Sequence, residues 1–139
     1  MRLGKSGLIL WGLYFAFAAY ALVTGVKDNT FSISGPLGGV KAAFWLALVL
    51  FLAYSVYCSF TENFFRSVRS VATLHWGRQI GADLYFGLFI SLFIIYLNDG
   101  FLVAAIWLIP ILFYANLVVL LYFAIHFDSI VMKLLGLSA

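Results

Sequence analysis

Hydrophobic positions along this chain gather into four long runs, at residues 7–25, 42–60, 79–97 and 101–125, parted by short polar stretches. Each run holds 19 to 25 residues, against the ~20 that an α-helix needs to cross a ~30 Å hydrocarbon core. None alternates with a period of two, as the strands of a membrane barrel do. Backbone amides in lipid find no water, so a spanning segment satisfies them internally as a helix. The pattern predicts an all-α membrane protein, with four transmembrane helices in a bundle forming a single domain over residues 1–139.

The polar stretches differ in kind. Residues 26–40 carry Asp28, Asn29, Ser32, Ser34 and Gly35-Pro36, which is turn chemistry. Asn98-Asp99-Gly100 is so short that spans three and four are expected to form an antiparallel hairpin. Over residues 61–78, Phe64, Phe65, Val68, Val71 and Leu74 follow helical spacing while Arg66, Arg69 and Ser70 fall elsewhere. That pattern predicts an amphipathic helix in the headgroup layer, with Arg66, Arg69 and Arg78 on anionic headgroups. Residues 126–139 repeat it, with Phe127, Ile130, Val131, Leu134 and Leu137 on one face. Pro110 should kink the fourth span by freeing the carbonyl of Ile106. Ahead of the first run, Arg2 and Lys5, with Ala19-Tyr20-Ala21 further on, give the look of a cleavable leader. The run has the full length of a span and aromatics throughout, so it is expected to remain as a helix.

Charge then sets an orientation. The chain is 65% hydrophobic and 9% charged, where a soluble domain carries about 25% charged residues. Arg2, Lys5, Arg66, Arg69, Arg78 and Lys133 fall on one side of the four-span reading, and only Lys27 and Lys41 on the other. The positive-inside rule places both termini in the cytoplasm, N-in and C-in, with the amphipathic helices on the cytoplasmic side of a bacterial-type inner membrane. The net charge of +3 thus reflects topology. No basic cluster interleaved with exposed aromatics points to nucleic acid. Cys58 is the only cysteine, so no internal disulfide can form.

Few residues nominate chemistry. Asp83 is the one charge deep within a run, and an acid at a bilayer centre costs about 2.5–3.5 kcal/mol on insertion scales. A hairpin closed at Asp99–Gly100 would set Asp83 level with Asn116, with Gln79 one turn away and Arg78 at the membrane surface. That group suits either a proton or cation path, a contact to a partner helix, or a clamp between spans three and four. The same hairpin would bring His75 and His126 together, and two facing imidazoles are the axial ligands of a b-type haem. Otherwise no cofactor is expected. Two imidazoles without a third ligand make a thin zinc site, and no metal site is nominated. Serines at 55, 59 and 91 have no histidine at helical spacing, so no hydrolase triad or other catalytic residue is assigned. In length and span number the chain resembles small multidrug transporters, whose first helix carries a glutamate; here the first span has no acid.

The leading expectation is a non-catalytic subunit or accessory factor of a membrane complex, not an enzyme. Its loops are too short to house a catalytic domain, and small residues such as Gly12, Ala16 and Ala19 offer faces for close helix packing. A partner membrane protein or self-association follows from that reading. The alternative is a homo-oligomeric channel or transporter using Asp83 and Asn116. The third is a haem-binding electron carrier through His75 and His126.

Overall fold

The computed structural model describes residues 4–136. Six helices follow one another, α1 (Lys5–Gly25), α2 (Gly38–Thr61), α3 (Phe64–Ala72), α4 (His75–Asp99), α5 (Phe101–Tyr114) and α6 (Asn116–Leu134). No strand occurs among the described residues. Four of the helices, α1, α2, α4 and α6, are long and apolar enough to cross a membrane.

The first three apolar runs lie in α1, α2 and α4, but α2 and α4 start four residues before their apolar stretches. Hydrophobicity marks what lipid can cover, whereas a helix continues for as long as its backbone bonds are met. Lys41 thereby falls in the first turn of α2, and His75 and Arg78 in the first turn of α4. The expected amphipathic helix at 61–78 is accordingly shorter. Asn63 caps α3 by accepting from the Arg66 backbone N–H at 3.1 Å, a side chain well suited to orphan helix donors. Thr73 donates its hydroxyl to the Ser70 carbonyl at 2.7 Å where α3 ends. Phe64, Phe65, Val68 and Val71 are exposed along α3.

The fourth run departs most from expectation. It is not one kinked span over 101–125. It is two helices, α5 and α6, joined at Ala115, which has φ 49° and ψ −128°. A non-glycine residue in so sparsely populated a region costs of the order of 1–3 kcal/mol. Hydrogen bonds hold it there, with the Ala115 N–H donating to the Ile111 carbonyl at 2.8 Å and the Val118 N–H donating back to Ala115 O at 3.2 Å. Pro110 lies inside α5, buried, five residues before the reversal. At 1.5 Å per residue, the 14 residues of α5 extend only ~21 Å.

Because the chain turns back at Ala115, α6 runs alongside α1 and α4 in the same sense and opposite to α2. Tyr114 donates its hydroxyl to the Leu10 carbonyl at 2.6 Å, setting the reversal beside the start of α1. Phe44 near the start of α2 meets Phe123 and Phe127 of α6, each with ring centroids 5.8 Å apart. Helix α6 is the core: Leu117, Val118, Leu121, Tyr122, Ala124, Ile125 and Ile130 are all buried. The amphipathic tail helix expected over 126–139 is therefore corrected as far as Leu134. Residues 126–134 continue α6, and Phe127 and Ile130 are core residues; Leu137 lies outside the described residues.

One end of the molecule thus carries the start of α1 and α3; the α5–α6 reversal stops short of it, ~21 Å from the Gly100 turn against ~37 Å for the length of α4. The other carries residues 26–37, the Gly100 turn and the end of α6. The first described helix begins, and the last finishes, at opposite ends.

Candidate functional site

Charged and polar side chains converge where the ends of α1, α4 and α6 meet. Gly100, at φ 86°, lets the chain pass straight from α4 into α5, a backbone angle that glycine takes without penalty. The turn holds Asn98 and Asp99 against the middle of α6. Tyr122 donates its hydroxyl to Asp99 Oδ2 at 2.6 Å, and Asn98 Nδ2 donates to the same Tyr122 oxygen at 2.8 Å. Ser129 donates to Asn98 Oδ1 at 3.0 Å, and the Lys133 ammonium donates to the Asn98 carbonyl. His126 stacks on Tyr122 with centroids 4.4 Å apart, and its Nδ1 lies 3.6 Å from Asp99 Oδ2. The Trp107 ring closes the cluster edge-on to Tyr122 at 4.9 Å. Buried polar groups are costly unless every one is partnered, and this set is partnered within itself. Its chemistry is that of a fastener holding α4 and α5 to α6.

A second polar group lies at the same end. Residues 26–37 fold back over α2 through turns in which the Thr30 N–H donates to Lys27 O at 2.9 Å and the Ser32 N–H donates to Asn29 O at 3.1 Å. Lys41 is almost fully enclosed beneath them, its side chain 3% exposed. Its ammonium donates to the Asn29 carbonyl and to Asp128 Oδ2, the latter at 2.6 Å. A cavity of about 160 Å³ opens there, lined by Asn29, Ser32, Ser34, Lys41 and Asp128. Neither Lys41 nor Asp128 stands out in the sequence, because Lys41 looks like a flanking charge and Asp128 like part of a polar tail.

The residues singled out in the sequence are distributed differently. Asp83, Gln79 and Arg78 are exposed on α4 and Asn116 is exposed at the start of α6. The reversal at Ala115 puts Asn116 in the first turn of α6, a helix separate from α5. The buried face of α4 is set by Leu88, Ile95 and Asn98. Asp83 instead falls in line with Gln79, Phe86, Ile90, Phe93 and Leu97, all exposed, at alternating three- and four-residue spacing.

The histidine pair is likewise not brought together. His126 packs beside Asp99, the last residue of α4, while His75 is the first residue of that helix. The 25 residues between those ends span ~37 Å, far beyond the reach of one macrocycle. His75 instead accepts from Arg78 Nη2 at 2.8 Å. Among the described residues no three His, Cys, Asp or Glu side chains cluster as metal ligands. Arg66 and Arg69 remain exposed on α3, and Glu62 accepts from Ser67 at 2.8 Å at that helix's start.

Comparisons with protein-family models, with curated proteins and with solved structures find no match to this chain.

Proposed function

We propose that this chain is an integral membrane subunit, without chemistry of its own, that docks to a partner membrane protein through the α4 face around Asp83. One observation carries the reading: the other charges gather near the two ends of the molecule, while Asp83 sits between them, exposed on the surface of an apolar helix. Facing lipid, a carboxylate there is held at a cost of the order of 1–3 kcal/mol. A partner helix offering a hydrogen-bond donor or a cation removes that cost. The line of Gln79, Asp83, Phe86, Ile90, Phe93 and Leu97 has the spacing of a helix-packing seam, in which one polar residue fixes register and partner choice.

A bacterial-type inner membrane suits the charge distribution, with the N-terminal end in the cytoplasm. Lys5, Arg66, Arg69 and Arg78 sit at that end, against Lys27, Lys41 and Lys133 at the other. Of the latter, Lys41 is neutralised by Asp128. The exposed apolar face and arginines of α3 rest on anionic headgroups at the cytoplasmic surface, and the end of α6 faces outward.

Native mass spectrometry of the protein gently extracted from its own membrane, beside an Asp83→Leu variant, tests the docking. The expected result is a heteromeric mass for the parent chain and loss of the partner for the variant, with helix content unchanged. A stable homo-oligomer without any other protein overturns the reading and moves the channel or transporter with Asp83 in its pathway to first place. An added haem mass would require ligands from two chains, given where His75 and His126 lie.

A further inference from the structure

The cavity under residues 26–37 is built from charge. Its five lining residues, Asn29, Ser32, Ser34, Lys41 and Asp128, are all polar. At about 160 Å³ it exceeds the ~30 Å³ share of one water several times over, and a polar space of that size does not stay empty of hydrogen-bonding matter. A lysine ammonium has three protons to give. Two are committed here, to the Asn29 carbonyl and to Asp128 Oδ2, which leaves one. Asp128 engages Lys41 through Oδ2 alone among the described residues, and its side chain is 46% exposed, so its second oxygen is open to the cavity mouth. Ser32 and Ser34 share a single hydrogen bond at 2.6 Å between their hydroxyls, which leaves one hydroxyl proton over.

The unused valences are thus an ammonium proton and a hydroxyl proton on one side and a carboxylate oxygen on the other. A lone anion suited to Lys41 would meet the Asp128 charge. A lone cation suited to Asp128 would meet Lys41. A molecule carrying both signs a few bonds apart satisfies both.

We propose that this cavity is a binding site for a small zwitterion, its anionic group taken by Lys41 and the serine hydroxyls and its primary ammonium by Asp128. Two sources carry that chemistry, the phosphoethanolamine headgroup of a membrane lipid and a free amino acid. The anionic group displaces no bond already made, because it takes the third ammonium proton. The ammonium group takes the outer carboxylate oxygen while Oδ2 stays on Lys41.

The test uses the purified full chain. Calorimetry with O-phosphoethanolamine and with L-alanine measures soluble zwitterions, and lipid nanodiscs containing either ethanolamine or choline phospholipid measure the headgroup in place. Saturable binding of a zwitterion is expected, weakened roughly tenfold by loss of one charged hydrogen bond in Asp128→Asn. Retention of ethanolamine over choline lipid, whose quaternary nitrogen has no proton to donate, assigns the lipid source; binding of alanine without that preference assigns the free source. Should Asp128→Asn lose its helical signal, a Ser32→Ala and Ser34→Ala double variant in the exposed segment serves instead, with the same direction expected. No saturable binding of either zwitterion, or inorganic phosphate binding as tightly as O-phosphoethanolamine, overturns the proposal.

Discussion

Over their most apolar windows helices α4 and α6 are nearly the same in mean hydropathy, and they live in different surroundings. Half of the α6 window is buried inside the molecule, against 11% for α4. Every polar residue of α6 from Tyr122 to Lys133 has a partner on another helix or the loop, whereas Asp83 on α4 has none among the described residues. Apolar composition says that a helix leaves water. Which of its neighbours is protein and which is lipid is decided by where polar groups are answered.

The contrast can be broken most forcefully at its centre. Tyr122 is fully buried and joins Trp107, His126, Asn98 and Asp99. Tyr122→Ala should cost about 3–5 kcal/mol, as truncation of large buried aromatics does, read as a lowered unfolding midpoint in mild detergent. A smaller loss is expected at the α1–α6 contact. A Cβ on Gly25 would stand 2.6 Å from Ile125 Cγ2 and 3.1 Å from His126 Nε2, so Gly25→Ala should destabilise by about 1–3 kcal/mol through overpacking. The same denaturation measurement checks it, and an unchanged midpoint would mean that α1 and α6 are held apart. The smallest effect belongs to α4. Phe86 is 72% exposed, and Phe86→Ala should move stability by less than about 0.5 kcal/mol while lowering the yield of co-purified partner. An equal loss of stability at Phe86 and Tyr122 would erase the distinction between the two helices.

Three of the four apolar runs were legible as helices, since nineteen predominantly apolar residues in a row leave the backbone no other solution in lipid. The turn at Asn98-Asp99-Gly100 was legible too, through glycine. The reversal at Ala115 was not, because both of its arms are apolar and neither glycine nor proline stands at the bend. That single turn carries most of the error: it moved His126 away from His75, and Asp128 and Lys133 from a solvated tail into bonded positions. Asp83 was legible as unusual, though its exposure on α4 follows only from which face Leu88 and Ile95 occupy. The Lys41–Asp128 pair was hidden for another reason, as 87 residues separate its members and no local pattern couples them.

Translation makes chains from the N-terminal end, and here the helix that fills the centre is the last of the six. While α1, α2 and α4 enter the bilayer, the site that α6 will occupy holds no protein, and Lys41, Asn98 and Asp99 lack Asp128, Ser129 and Tyr122. The early helices therefore wait, loosely associated, for their keystone. A ribosome that stalls before residue 116 releases a membrane-inserted chain with unanswered charges, the state that quality-control proteases and insertion chaperones are suited to detect.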